Sequence, residues 1–353
     1  MRHGAGGAVD RERLLEARGA RLGSKGILLF MGKPHPPNLA PRTQARPTGT
    51  TAERVEVREG CSASVHDIRL CRAALGFSFS VASGDEHFGQ AAQLMFADLA
   101  PAMQPAHAFI VALGVDGSYS VQADGAPAVD YLARGEVLGT LVWLVNQGVT
   151  ENPGDLLLFH AAAVAAGEVG VLVPAPSGSG KSTLAGGLVA SGLCYLSDEV
   201  GALDTAAMRA LAYPKPLSLA TGSLVALCDL GLQVQPDVSG WMSSEYQLPS
   251  AAIRLGSVVG SCPVGLVLFP ELALGRQSVL DRLRPSEALG RLVVNTFNLA
   301  DQPDKHLQAC AELCRTAESY RLVIGDLATA CSLVLSLLGV SAPGDALLAA
   351  EAR

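Results

Sequence analysis

Apolar residues recur along this chain with two different periods, and each change of period marks an element. Between Gly76 and Ala82 they alternate with small polar residues, which predicts a strand. Phe88, Ala91, Leu94, Met95 and Leu99 fall at helical spacing and predict a helix over residues 88–99. Residues 107–113 and 118–123 read as strands flanking Asp116-Gly117, a hairpin signal. Helical spacing returns over residues 131–149, with Leu138, Leu141, Val142 and Val145 on one stripe. Together these predict a small α/β unit over residues 75–150.

A second unit begins near Leu156. Residues 156–165 and 169–173 read as strands around a turn at Gly167. A helix follows from Lys181 to about Ser191, ended by Gly192 in the C′ position. Short apolar strands are expected at 194–197 and 265–269. Helices are expected at 285–298, with Pro285 near the first turn, at 306–317 and at 327–338. Strands alternating with helices make this an α/β domain over residues 155–340. Residues 1–60 have neither period. They are rich in Arg, Pro and Gly, including Pro34, Pro36, Pro37, Pro41 and Pro47, and read as a disordered extension.

Charge sharpens this division. The 353 residues carry a net charge of −7. Residues 1–60 hold 11 Lys/Arg against 6 Asp/Glu, whereas residues 61–353 hold 15 against 27. An acidic body argues against nucleic acid as the main partner, because phosphate neutralisation needs clustered cations. Eight cysteines are present without a CxxC pair. Cys310 and Cys314 share a helix face, and core filling explains them better than metal binding. No signal peptide opens the chain and no apolar run reaches membrane-spanning length, so the expectation is a reduced, cytoplasmic protein without a membrane partner.

Candidate chemistry concentrates between residues 156 and 218. The run Pro176-Ser177-Gly178-Ser179-Gly180-Lys181-Ser182 follows an apolar strand and opens a helix, the context a phosphate-binding P-loop requires. Gly178 and Gly180 let backbone N–H groups approach phosphate oxygens, and the helix adds its positive end. Lys181 is expected to reach the β- and γ-phosphates of ATP, and Ser182 to offer its hydroxyl to Mg²⁺. Ser177, Gly178, Ser179, Gly180, Lys181, Ser182 and Thr183 thus form the expected nucleotide cradle. Ala175 stands where the pattern has its first glycine, which is tolerable if its φ stays negative. After residue 60 the only lysines are Lys181, Lys215 and Lys305, so a lysine in this loop stands out.

Asp198 and Glu199 end the strand that directly follows the P-loop helix. That connection puts them on the same sheet edge as the loop, where carboxylates hold Mg²⁺ or accept a proton from a hydroxyl. A solvated acidic turn is the plainer alternative. His160 interrupts the apolar run 156–161, and reads equally as a group reaching the phosphates or as a hydrogen-bonded core histidine. Lys215, between Pro214 and Pro216, is either an exposed loop lysine or an ammonium aimed by its prolines, expected then to bind the nucleotide near the transferred phosphate. Arg282 and Arg284 read as surface residues.

These motifs carry a family resemblance. The run His160-Ala161-Ala162-Ala163-Val164, the loop Pro174–Thr183, the triplet Ser197-Asp198-Glu199 and the segment Pro214-Lys215-Pro216-Leu217-Ser218-Leu219 resemble the core of the HPr serine kinase/phosphorylase family. They are most similar to its HPr kinase-related branch. The segment from Ser286 to Asn298 is similar to that branch too, and the likeness spans roughly residues 75–340. The resemblance implies a P-loop kinase core of the HPr kinase/phosphoenolpyruvate carboxykinase type, with a smaller N-terminal α/β domain. It implies transfer of phosphate from ATP to a serine on a peptide or small protein. Asp198 would match the acid/base aspartate, Glu199 its acidic neighbour and His160 the active-site histidine. Glu199 stands where HPr kinase has Asp, and its glycine-rich signature loop is not found here, so the expected acceptor is other than HPr. A small-molecule kinase and a non-catalytic nucleotide sensor are the rival readings. An ABC-type ATPase fits poorly, because Asp198 follows Lys181 by only 17 residues. A homo-oligomer is compatible with all of these.

Overall fold

A computed structural model describes residues 68–233 and 246–340. The extension expected over residues 1–60 lies outside the described residues.

The first layer of structure is a hairpin of β1 (Ile68–Ala74) and β2 (Phe77–Ser83). Leu75 and Gly76 between them both take positive φ, as a tight two-residue hairpin turn of type I′ requires. Asp85 then caps α1 (Glu86–Met95) by accepting from the N–H groups of His87 and Phe88. The chain continues through β3 (Ala100–Pro101), β4 (His107–Leu113), β5 (Tyr119–Ala123) and β6 (Ala126–Leu132) to α2 (Arg134–Glu151). The β4–β5 hairpin forms where expected, with Gly117 left-handed in its turn. The sheet order is β3-β1-β2-β4-β5-β6, with only β2 and β4 parallel. The apolar stripe of α2 (Val137, Leu138, Leu141, Val142, Val145 and Val149) is buried, and it carries one polar residue inside, Asn146.

The larger sheet is built around β7 (Leu157–Ala166), a strand ten residues long. It pairs antiparallel with β8 (Val169–Pro174) across the turn at Gly167, with β9 (Cys194–Ser197), and with β10 (Val200–Asp204). Beyond β8 come β14 (Ser261–Leu272) and β16 (Glu318–Ile324) in parallel, then β15 (Val279–Arg282) antiparallel at the edge. β11 (Arg209–Leu211) pairs with both β10 and β14, and β12 (Leu217–Leu219) pairs with β13 (Tyr246–Leu248) in a separate ribbon.

Alternation along the strands sorts side chains between two faces. Ala162 and Val164 of β7, with Val171 and Val173 of β8, pack against α3 (Lys181–Ala190) and α8 (Leu327–Leu337). Ala161, Ala163 and Ala165 face the opposite way, toward α6 (Pro285–Val293) and α7 (Pro303–Thr316), which bury Leu292, Cys310, Leu313 and Cys314. Two shorter helices, α4 (Thr221–Asp229) and α5 (Ser250–Ile253), and a 3-10 turn at Leu299–Asp301 complete the described elements. The architecture is therefore mixed α/β, with helices on both faces of the larger sheet.

The helix expected over 88–99 ends at Met95, and that expected over 131–149 starts only at Arg134, after β6. Two larger departures need correction. The helix expected over 285–298 ends at Val293. Asn295 and Thr296 turn their side chains back onto the carbonyls of Arg291 and Val293, and Phe297 N–H then donates to Leu158 O at 2.8 Å, drawing the chain onto β7. The second departure is Lys215, whose side chain is fully buried and so is not an exposed loop lysine.

Candidate active site around the glycine-rich loop

β7 is the common pairing partner of three segments. Ala161 lies opposite Pro174, where β8 hands over to the glycine-rich loop. Ala163 lies opposite Ser197, the residue before Asp198. Val200 lies opposite His160, and Ala161 N–H donates to Glu199 O at 3.1 Å. Within a few residues of one strand, the register thus brings together the loop, the acidic pair and the histidine.

The loop has the backbone its sequence calls for. Gly178 and Gly180 sit at φ +79° and +87°, a region that side chains strain to enter. Ala175 lies outside that region, and its N–H donates to His160 O at 3.1 Å. Gly180 is the N-cap of α3 and supplies no side-chain cap, which leaves the helix N-terminus open to an outside acceptor. Ser179 Oγ is buried without a hydrogen-bond partner. Thr183 Oγ1 donates to Ser223 Oγ at 2.8 Å, tying the helix to α4, while Ser177 is exposed and Ser182 half-buried.

Lys181 is 7 % exposed, and among the described residues no carboxylate comes within ion-pair distance of it. Burial pushes its pKa down, against the pull of Glu199 and Asp198, so its charge is poorly compensated as the protein stands. An anion placed against it would relieve that cost.

Lys215 is the opposite case. It is fully buried, yet Nζ lies 2.7 Å from Asp198 Oδ1 and 3.4 Å from Glu199 Oε2, and donates to Pro216 O at 2.9 Å. Burial lowers its pKa, but attraction to Asp198 and Glu199 outweighs this and the net shift is upward. Asp198 is held from two further sides. Ser218 N–H donates to Oδ2 at 2.9 Å, and Tyr195 O–H reaches Oδ1 at 3.4 Å while also donating to Lys215 O at 2.9 Å. Glu199 is a quarter exposed and accepts from Asn146 Nδ2 at 3.0 Å. Asn146 Oδ1 in turn accepts from Tyr213 O–H at 2.6 Å. Desolvation raises both tyrosines well above the usual phenol range, with the carboxylates adding to it, so both remain donors.

His160 shares a strand face with Leu158, which faces the small-sheet core, and Ala162, which faces α3. Its ring lies 5.6 Å from that of Phe297. Burial, and then the charge of Lys181, lower its pKa to about 4 against the pull of Asp198, so it is neutral at pH 7.

The loop, His160 and the acidic pair are therefore brought together around β7, with Lys215 against the acids. Arg282 and Arg284 are exposed and paired with Glu318 and Glu287, away from this network. Asn146, Tyr195, Tyr213 and Ser218 were not foreseen. The one legible signal was Asn146, a lone amide within an apolar helical stripe. Among the described residues no group of three or more His, Cys, Asp or Glu side chains could hold a metal alone. The hydroxyl and carboxylate oxygens of Ser182, Asp198 and Glu199 suit a hard cation such as Mg²⁺, which takes one or two carboxylates and completes its shell with phosphate and water. No protein-family model matches the chain, and no curated protein matches it.

Proposed function

We propose that this protein is a kinase that transfers the γ-phosphoryl group of Mg-ATP to a serine hydroxyl on a peptide or small protein. The observation that carries the reading is Lys181: a buried ammonium without an anionic partner among the described residues, at an uncapped helix N-terminus, beside a loop with two left-handed glycines. A triphosphate supplies the missing charge. In this reading the residues form a P-loop kinase core similar to that of the HPr kinase family. Backbone N–H groups of residues 177–182 and Lys181 hold the phosphates. Ser182, Asp198 and Glu199 would hold Mg²⁺, which neutralises charge on the transferring phosphoryl group.

Asp198 takes the proton as the serine oxygen bonds to the γ-phosphorus and the bond to the β–γ bridging oxygen breaks, releasing ADP. Its carboxylate has about four lone-pair sites, so contacts to Lys215 and Ser218 leave room for an incoming hydroxyl. Lys215 serves chiefly as the counter-ion that fixes Asp198. Positioning the hydroxyl in line with the γ-phosphorus supplies the specificity. The acidic body favours a neutral or basic acceptor, and a serine on a partner other than HPr is the proposed target.

A second reading has one observation in its favour. Both oxygens of Asp198 are already engaged, which suits a nucleotide sensor that holds ATP without transferring phosphate.

The test is incubation with Mg-ATP and candidate peptides, read by mass spectrometry for phosphoserine. Lys181→Ala is the control. Removing one preorganised donor should cost roughly 3–4 kcal/mol in the transition state, on the order of 10²–10³-fold in rate. Melting temperature should not fall, since an uncompensated buried charge is removed. Unchanged turnover in folded Lys181→Ala rejects the nucleotide site. Binding without transfer selects the sensor, phosphorylation of a metabolite alone selects a small-molecule kinase, and efficient phosphorylation of HPr overturns the acceptor assignment.

A further inference from the structure

Asn146 belongs to α2, in the layer that covers the smaller sheet, yet its amide ends on the acidic pair of the larger one. It is 4 % exposed and sits in an otherwise apolar stripe. An amide in such a place is costly unless its groups are satisfied. Here they are satisfied in only one way. Nδ2 donates to Glu199 Oε2 at 3.0 Å, and Oδ1 accepts from Tyr213 O–H at 2.6 Å. Turning the amide over would set its oxygen against a carboxylate, so chemistry fixes its orientation. Tyr213 itself is anchored, its N–H donating to Leu196 O at 2.9 Å, two residues before Asp198. Glu199 Oε2 is held between this amide and the Lys215 ammonium, 3.4 Å away.

We infer that Asn146 is a positioning residue of the active site: it fixes the carboxylate of Glu199 for Mg-ATP and makes the smaller sheet's helix layer part of the catalytic apparatus. This rests on the phosphotransferase reading above. Asn146 touches neither nucleotide nor acceptor and acts only through Glu199. Loss of its donor leaves Glu199 held by Lys215 alone and free to turn, which degrades metal placement more than acceptor binding. Replacing the amide by a carboxylate of the same size sets a second acceptor against Oε2, where Asn146 Nδ2 had donated at 3.0 Å.

The experiment compares wild type, Asn146→Asp and Tyr213→Phe for melting temperature, Mg²⁺ dependence of ATP binding by titration calorimetry, and kcat and KM. For Asn146→Asp we expect kcat to fall at least tenfold at pH 7.5 with acceptor KM changed less than threefold. We expect weaker Mg²⁺ enhancement of ATP binding. Tyr213→Phe, which removes one anchor of the amide, should move the same quantities the same way by less. A uniform loss that tracks melting temperature, without a change in Mg²⁺ dependence, reduces Asn146 to a packing role and overturns the inference. If wild type binds Mg-ATP without transferring phosphate, the Mg²⁺ dependence alone decides it, and the transferase reading fails separately. If wild type binds no ATP at all, both fall.

Discussion

Lys215 and Asp198 form an ion pair in which neither side chain is more than 1 % exposed. Removing one partner strands the other in a low-dielectric site, which costs about 3–5 kcal/mol, whereas removing both together costs far less. We therefore expect Lys215→Met and Asp198→Asn each to unfold at markedly lower denaturant, and the double variant to recover most of the loss. Chemical denaturation at pH 7 checks this, and additive losses would refute it. Inactivity of Asp198→Asn consequently has to be judged on protein shown to be folded. His160 gives a prediction in pH. Its folded pKa, about 4, lies below the usual 6.5, so between these values the unfolded chain binds more protons. Its contribution to stability is present above pH 6.5 and is lost as pH falls toward 4. The difference in unfolding free energy between wild type and His160→Gln should thus shrink across that window, and a pH-independent difference would contradict the assignment. Local spacing was enough to place Lys181, Asp198 and His160 together. It could not reveal what Asn146 and Tyr213 bond to, because those bonds join residues 53 and 67 positions apart. Nor could it reveal the burial of Lys215, because a Pro-Lys-Pro segment looks like surface until the acids that receive it are known.

Among the elements, α3 is packed more tightly than its composition suggests. A Cβ on Gly187 would stand 2.8 Å from Cys331 Sγ on α8 and 3.1 Å from Leu327 Cδ1. Glycine to alanine in a helix interior ordinarily stabilises by about 1 kcal/mol. Here the close approach reverses the sign, so Gly187→Ala should lower the melting temperature and Cys331→Ala should restore it in the double variant. Stabilisation by Gly187→Ala alone would show that the helices separate freely. Long periodic elements such as β7, α2, α7 and α8 were legible because one face of each is continuously apolar. β12 and β13 are three residues each, too short to show a period. β15 is an edge strand whose residues are mostly exposed, so its sequence carries polar residues where a strand signal would need apolar ones.

Across the whole molecule, the expected units 75–150 and 155–340 share a core. Leu158, Val200, Ala202 and Tyr213 join the apolar cluster built by α1, α2 and the smaller sheet, and Ser250 Oγ donates to Asp98 Oδ2 at 2.6 Å. Sequence periodicity describes each unit's own faces and is silent on which faces meet, which is why this junction was not foreseen. One consequence follows from β7. The loop, the histidine and the acidic pair were recognised by their separations along the chain, but those separations do not hold them together. Ladder pairings to one strand do, and they are indifferent to how much chain runs between Pro174 and Ser197. A search for other sequences with this arrangement should therefore fix the pattern around the ten residues of β7 and let the interval from lysine to aspartate vary. A pattern that demands 17 residues would pass over chains with the same chemistry and one more turn of helix.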